Sequence, residues 1–154
     1  MNIEITEGNI ITADTEVIVN AWNRNVLPWF LLIPVGVAGA IKKAAGIGPF
    51  NELIWKGPIP LGGAVLTSAG RLPYRGIIHV AGIDLLWRAS AYSIRTSVSS
   101  AVRIINEQGF ASAAFPVIGA SAGGFNEDKA LAVMQDQLKQ EISDAKITII
   151  RFKK

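Results

Sequence analysis

Two kinds of hydrophobic pattern alternate along the chain. Short apolar runs rich in Val, Ile and Ala, bounded by Gly, Pro or Asn, have the length of strands; they cover residues 3–6, 17–19, 64–69, 76–82, 112–118 and 146–152. Stretches between them have helical spacing or helix-capping residues; they cover residues 37–45, 49–56, 88–107 and 127–142, with Asn126 as the N-cap of the last one. Because strands and helices alternate without a linker or an internal repeat, the pattern predicts one α/β domain over residues 1–154, with helices on both faces of a mixed sheet.

The stretch 17–46 is the strongest candidate for a ligand site. A buried strand leads to a helix that Gly46 can close, and the loop between them contains Asn20, Asn23 and Gly36. Such a loop brings free backbone N–H groups and the positive end of a helix dipole to one place, where a phosphate can bind. We therefore expect this loop to hold a phosphate ester that resembles a dinucleotide.

A second loop of small residues, Gly-Ala-Ser-Ala-Gly-Gly at 119–124, follows the strand predicted at 112–118. It lacks the Lys-Ser/Thr ending of a P-loop, so the motif alone is a weak signal. In α/β sheets, however, ligands bind outside the carboxyl ends of the strands. Both loops are therefore predicted to face one crevice, where their N–H groups would suit a pyrophosphate.

The amino-acid composition limits the kinds of binding and catalytic site that the chain can form. Half of the residues are hydrophobic and the formal net charge is +3, which is compatible with an anionic ligand. The basic residues are scattered rather than arranged in a stripe, so the charge does not indicate a nucleic-acid interface. The chain has no cysteine and one histidine, which excludes disulfides and thiol nucleophiles and makes a histidine-cluster metal site implausible. We expect neither a metal nor a cofactor.

Two stretches of the sequence indicate the cellular location of the protein and whether it spans a membrane. The first nine residues, MNIEITEGN, carry acids where a signal peptide needs a basic start, so we expect a cytoplasmic protein. Residues 26–41 are uncharged, but Pro28 and Pro34 interrupt them. They are also shorter than the roughly 20 residues that a spanning helix needs, and we expect no transmembrane segment.

Five segments, in order and at near-family spacing, resemble the macro domain family. They are 8–12 (GNIIT), 18–23 (IVNAWN), 36–46 (GVAGAIKKAAG), 72–73 with 77–82 (LP and IIHVAG), and 115–118 with 124–125 (FPVI and GF). The resemblance implies a three-layer α/β/α sandwich with a mixed six-stranded sheet. It also implies a cleft at the strand carboxyl ends that binds ADP-ribose, either free or attached to a protein or nucleic acid.

The resemblance also implies roles for particular residues. Asn9 stands where the family has an aspartate that accepts a hydrogen bond from the adenine amino group, and a neutral amide should make that contact weaker. Ile10 would offer its backbone N–H to the ring, and Asn23 would reach the distal ribose. Phe125 would pack against the same ribose or belong to the core. The residues that would cradle the diphosphate are Gly36, Val37, Ser121, Ala122, Gly123 and Gly124.

Catalysis is less well supported than binding. The MacroD-type hydrolases carry an aspartate at the position of Ala38 to activate a water, and alanine cannot take a proton. The remaining catalytic candidates are Asn23 and Asp84. A binding module is the first hypothesis; an ADP-ribosyl hydrolase or O-acyl-ADP-ribose deacylase, in which the ligand's own phosphate orients the water, is the second. A non-catalytic interaction protein that uses the apolar loop 26–35 is the third.

That apolar loop is longer than the usual family form and contains two prolines, Pro28 and Pro34. It either covers the distal ribose and excludes water, or packs on the protein's own helices or on a second subunit. The oligomeric state is left open.

Several other residues that could carry chemistry are expected to be structural. His79 lies within an apolar strand and should be buried and hydrogen-bonded. Asn20 should cap the end of its strand. Trp22, Trp55 and Trp87 are expected in the core or the lid rather than stacked on a nucleotide.

Overall fold

The computed structural model describes residues 1–32, 36–121 and 123–153. The strands are β1 (Asn2–Gly8), β2 (Val17–Trp22), β3 (Ala64–Thr67), β4 (Gly76–Ala81), β5 (Ser112–Pro116) and β6 (Lys146–Phe152). The α-helices are α1 (Gly36–Ala45), α2 (Gly48–Lys56), α3 (Ala91–Gln108) and α4 (Glu127–Gln140). Two short 3₁₀ helices lie at Ile10–Thr12 and Trp29–Leu31.

The strands form one mixed sheet in the order β1-β6-β5-β2-β4-β3. Neighbouring strands are parallel except β3, which runs antiparallel to β4. The apolar runs therefore sit in a mainly parallel sheet that is covered on both faces, as continuous hydrophobic strands require. This architecture confirms the predicted fold class.

Two hydrophobic clusters lie on opposite faces of the sheet because successive strand residues point to opposite sides. In β2, Val17 and Val19 join the cluster under α3 and α4, whereas Ile18 joins the cluster under α1 and α2. β4 divides in the same way, with Ile78 on one face and Ile77 on the other. Each helical layer thus covers its own half of the core.

The sheet opens between β2 and β5. β2 pairs with β4 along its whole length, from Val17 to Trp22, but with β5 only at Val17 and Ile18 among the described residues. From β2 the chain passes through α1 and α2 toward β3 and β4, whereas from β5 it passes through α4 to β6 on the other side. Such a switch point leaves a crevice at the strand carboxyl ends, where α/β proteins bind ligands.

Helix ends follow their capping chemistry. α3 begins at Ala91 rather than at the predicted residue 88, because Ser90 and Ser93 form a reciprocal capping box. Asn126 caps α4 as predicted, its Oδ1 accepting the N–H of Lys129 at 3.0 Å. Among the described residues, no helix is long and apolar enough to cross a membrane.

Candidate ligand-binding site

A cavity of about 410 Å³ lies in the crevice at the carboxyl ends of β2, β4 and β5. The end of β2 supplies Ala21, Trp22 and Asn23, and the end of β4 supplies Gly82, Ile83 and Trp87. The opposite wall comes from the loop after β5 and from the start of α1: Pro116, Val117, Gly119, Ser121, Gly123, Val37 and Ala38. Both loops that the sequence predicted to share a crevice therefore contribute to it.

The cavity wall is uncharged. None of the described residues that line it has a titratable side chain. The described part of the chain also contains no group of three or more His, Asp and Glu residues that could hold a metal. Polar interactions in the cavity must therefore come from Asn23, Ser121, Trp87 and backbone groups, because Trp22 Nε1 already donates to Asn25 Oδ1 at 3.3 Å.

Gly36 is not among the residues that line the cavity, but the two loops come close together there. It begins α1 with a φ of +58°, a conformation that glycine adopts readily and other residues avoid. A Cβ on Gly36 would lie 2.7 Å from Ser121 Oγ across the crevice. The first N–H groups of α1 have no intrahelical partner, so the missing side chain leaves backbone donors open to the space between the loops.

The apolar loop after β2 packs on the protein and borders the cavity. The ring of Trp29 lies 5.0 Å from Lys42 Nζ and its Nε1 donates to Asn51 Oδ1 at 2.9 Å, which ties it to α1 and α2. Leu31 and Leu32 line the cavity. The described part of the loop thus packs on the protein's own helices, which was one of the two alternatives. That it covers the distal ribose stays a prediction, and Pro34 lies outside the described residues.

Comparison with known proteins identifies the fold family. The Macro domain family model matches residues 19–134. The chain belongs to the macro domain family. The family assignment made from the five sequence motifs is therefore confirmed.

Individual relatives agree with this. An uncharacterized protein from Aquifex aeolicus is 31% identical over 141 residues, covering 91% of this chain and 82% of the relative. An O-acetyl-ADP-ribose deacetylase from Enterobacter cloacae is 30% identical, covering 97% and 86%. A mutant of the Oceanobacillus iheyensis macrodomain, solved with ADPR, superposes with a TM-score of 0.85 at 26% identity, covering 99% and 86%. Some relatives are longer: the chain spans 64% of one from Aeropyrum pernix and 36% of one from Mycobacterium tuberculosis.

Of the predicted contacts of this macro domain, Asn23, Val37, Ser121 and Gly123 line the cavity. The Asn23 side chain is fixed because its Oδ1 accepts the N–H of Asn25 at 2.7 Å. This bond leaves the Asn23 amide group free to donate toward a ligand. Ala122 lies outside the described residues.

The adenine-side candidates lie next to the cavity rather than in its wall. Asn9 caps the 3₁₀ helix at Ile10–Thr12, its Oδ1 accepting the N–H of Ile11 at 3.2 Å. Tyr74 holds the same turn by donating its hydroxyl to the carbonyls of Ile10 and Ala13, at 3.1 and 2.9 Å. The Ile10 side chain is buried. The role that the resemblance implies for its backbone N–H stays a prediction.

Phe125 and Gly124 are not among the cavity-lining residues. Phe125 packs against the hydrophobic cluster under α3 and α4, which matches its alternative interpretation as a core residue. Its backbone N–H closes the loop onto the carbonyl of Gly119 at 3.0 Å. Gly124 has a φ of +65°, and a Cβ there would meet nothing within 4 Å. Its conformation therefore shapes the turn.

The structure argues against Asp84 as a general base. Asp84 does not line the main cavity, and its Oδ1 accepts the N–H groups of Leu86 and Arg88 at 2.8 and 3.0 Å. The hydrogen bond from the Arg88 N–H is the largest cause of a lowered Asp84 pKa, and a further N–H from Leu86 and the Arg88 guanidinium act in the same direction. A carboxylate held in this way organises its loop and is a weak proton acceptor.

His79 lies in the middle of the sheet and is structural, as predicted. Its Nδ1 lies 3.0 Å from Asn20 Nδ2 and its Nε2 lies 2.8 Å from Thr67 Oγ1. Because Asn20 Nδ2 is a donor, Nδ1 accepts and the proton sits on Nε2. Burial lowers the pKa of His79 to about 3. The ring is therefore neutral and joins β2, β3 and β4.

The three tryptophans do not all lie in the core or the lid, where the sequence predicted them. Trp22 is buried, meets Phe50 edge-on at 5.3 Å and lines the cavity. Trp55 is 90% exposed on α2, so its assignment to the core or lid was wrong. Trp87 is exposed at the rim and lines the cavity. The strand-end rule could have pointed to Gly82 and Ile83 after β4, but no sequence signal marks Trp87.

Proposed function

We propose that this macro domain binds ADP-ribose in the 410 Å³ cavity, either as the free compound or as the ADP-ribosyl group on a protein or nucleic acid. The observation that carries the proposal is the close approach of Gly36 to Ser121, where the start of α1 and the loop after β5 face each other with only the small Ser121 side chain between them. A diphosphate has oxygens on two sides, so backbone donors on both loops can bind it without a cationic side chain.

The order of the strands indicates how ADP-ribose would be oriented in the crevice. The end of β1, which Asn9 follows, and the end of β4 lie on opposite sides of the crevice between β5 and β2. Adenine would therefore lie toward Asn9 and Ile10, and the distal ribose toward Asn23 and the loop after β4. The ADPR-bound Oceanobacillus neighbour supports a ligand of this class.

Binding is favoured over turnover because no described residue in the cavity wall can accept a proton at neutral pH. Ala38 lies in the wall where the resemblance implies an acid for hydrolases. The second candidate function is deacylation of O-acyl-ADP-ribose, favoured by the relative named O-acetyl-ADP-ribose deacetylase. It would require the ligand's phosphate to orient the attacking water.

Two further proposals concern the whole chain. Residues 1–154 form one domain, which is supported by the pairing of β1 with β6 from Asn2–Lys146 to Gly8–Phe152. The second proposal is a cytoplasmic location.

Calorimetry with ADP-ribose, ADP and NAD tests binding. Gly36→Ala should weaken ADP-ribose binding at least tenfold, since the added Cβ enters the space between the loops. Gly109→Ala is the matched control, because Gly109 has a similar φ of +70° but ends α3 in open space. Both variants should lose roughly 1–2 kcal/mol of unfolding free energy, but only Gly36→Ala should lose affinity. No ADP-ribose binding at high micromolar concentration by the wild type would refute the proposal.

Turnover is tested by incubating the wild type with O-acetyl-ADP-ribose and with an ADP-ribosylated protein. We expect the substrates to be recovered unchanged, whereas Ala38→Asp should begin to release acetate or ADP-ribose because it adds a proton acceptor to the wall. Ala38→Asn has nearly the same shape without the acid and should stay inactive. Release by the wild type would favour the deacylase.

A further inference from the structure

A second, smaller cavity adjoins the main one. It has a volume of about 90 Å³ and lies between the loop after β2 and the loop after β4. Asn23, Leu32 and Trp87 line both cavities. A ligand in the main cavity can therefore extend past these side chains into the side cavity, which is our name for this space from here on.

The side cavity offers mainly apolar surface. Val26, Leu27 and Leu85 line it, and all are exposed to solvent. Large apolar side chains grouped at an exposed site commonly mark binding surfaces in soluble proteins. Their position next to a cavity with an uncharged wall indicates a ligand group that is itself apolar.

The charged residues of the side cavity are already engaged. Arg24 Nε donates to the carbonyl of Ile59 at 3.1 Å. Asp84 accepts two loop N–H groups and lies 3.6 Å from Arg88 Nε. Asp84 is therefore paired with Arg88, and Arg24 is held to a neutral carbonyl while keeping its charge. An entering apolar group would pack on the apolar side chains of the side cavity.

The loop that carries Trp87 is fixed by hydrogen bonds. Trp87 has a φ of +62°, which is rare for a bulky residue, costs about 1–3 kcal/mol and persists only where the surroundings enforce it. The Asp84 N–H donates to the Arg88 carbonyl at 2.9 Å, and the Trp87 N–H donates to the Asp84 carbonyl at 3.0 Å. These bonds fix the backbone of the loop from which the Trp87 side chain lines both cavities.

We propose that the side cavity binds an apolar acyl group attached to the distal ribose, so that this macro domain prefers ADP-ribose acylated with a chain longer than acetyl. The inference rests on the proposed function, because it needs ADP-ribose in the main cavity with its distal ribose near Asn23. From there, the side cavity is the adjoining apolar space on the β4 side of the crevice.

The test uses ADP-ribose derivatives that carry acetyl, butyryl or hexanoyl groups through an amide at the distal ribose, which resists hydrolysis. Calorimetry should show affinity rising roughly fourfold for each methylene that becomes buried, and levelling off once the side cavity is full. A plain ADP-ribose titration provides the baseline.

Leu85→Ser should flatten the chain-length dependence while leaving affinity for plain ADP-ribose within about twofold. Leu86→Ser is the matched control: the two leucines are neighbours and similarly exposed, 60% and 67%, but Leu86 lines neither cavity. It should keep the wild-type dependence on chain length.

The outcomes separate the two proposals. If ADP-ribose binds but affinity does not depend on acyl length, the side-cavity inference is wrong and the proposed function stands. Equal losses in Leu85→Ser and Leu86→Ser would also overturn it, because the gain would then come from general surface hydrophobicity. If ADP-ribose does not bind, the proposed function itself fails.

Discussion

His79 shows how a polar residue in this fold can serve the sheet instead of chemistry. It is fully buried and lies between Asn20 on β2 and Thr67 on β3. Thr67 Oγ1 accepts the ring Nε2–H and donates its own proton to the Ser68 carbonyl at 2.9 Å. Asn20, His79 and Thr67 thus form a hydrogen-bonded chain across three strands directly behind the candidate site.

The buried histidine makes stability depend on pH. Its folded pKa of about 3 lies below the unfolded value of 6.5, so the unfolded state binds the extra proton between these values. Its contribution is complete above about pH 6.5 and decreases as pH falls. We expect a loss of about 2 kcal/mol of unfolding free energy between pH 7 and pH 5 from this group, measured by urea unfolding.

His79→Gln is the control for that experiment, because glutamine retains amide donors and acceptors but does not titrate. The variant will be less stable than the wild type at every pH. Between pH 7 and pH 5, however, its unfolding free energy should fall by about 2 kcal/mol less than that of the wild type. Parallel curves for the wild type and the variant would show that His79 is not the source of the pH dependence.

At the scale of elements, the loop after β2 has one residue that anchors it to the helices and two residues that form part of the cavity wall. Trp29 is held by Asn51 and Lys42, while Leu31 and Leu32 border the cavity. Phe30 and Leu31 are exposed, whereas Trp29 and Leu32 pack against the cluster under α1 and α2. The position of the segment therefore depends mainly on the contacts of Trp29 and Leu32. Few buried contacts are typical of segments that open locally at low cost.

Removing the anchor should therefore affect binding more than stability. Asn51→Ala removes the acceptor for Trp29 Nε1, an exposed hydrogen bond worth about 1 kcal/mol. We expect a threefold to tenfold loss of ADP-ribose affinity and faster proteolysis within residues 26–32. Asn51→Asp keeps an acceptor oxygen and should behave as the wild type. Unchanged affinity and proteolysis in Asn51→Ala would mean that packing alone positions the loop.

At the scale of the whole molecule, the charged side chains lie away from the described wall of the main cavity. The chain has a formal net charge of +3, but the described cavity wall has no ionisable side chain. The titratable group behind it, His79, stays neutral near physiological pH. Binding of a diphosphate would then rely on fixed backbone dipoles, whose strength does not change with pH.

ADP-ribose affinity should accordingly be flat with pH. We expect less than a threefold change between pH 6 and pH 9, since neither the cavity wall nor the diphosphate titrates there. Calorimetry at matched pH in two buffers of different ionisation enthalpy should give the same heat of binding. A buffer-dependent heat would reveal proton uptake and therefore an ionisable group that faces the ligand.

Local signals predicted much of this fold. The boundaries of β6 were predicted as 146–152 and the Asn126 cap was predicted correctly, because alternation and capping depend on neighbours in sequence. The surroundings of Asp84 could not be predicted, because its Oδ1 accepts N–H groups of its own loop. Whether a loop folds back onto a carboxylate depends on backbone conformation that residue types alone do not specify.

The sequence by itself determined the family, the fold class and the two loops that approach each other at Gly36 and Ser121, because periodicity, strand-end glycines and ordered motifs are encoded locally. Only the tertiary structure decided what surrounds those loops. It placed Trp87, in a left-handed conformation, between the main cavity and an apolar side cavity. It also packed Phe125 against the core. The direction of a side chain from a loop is set by long-range packing and hydrogen bonds, which no pattern of neighbouring residues records.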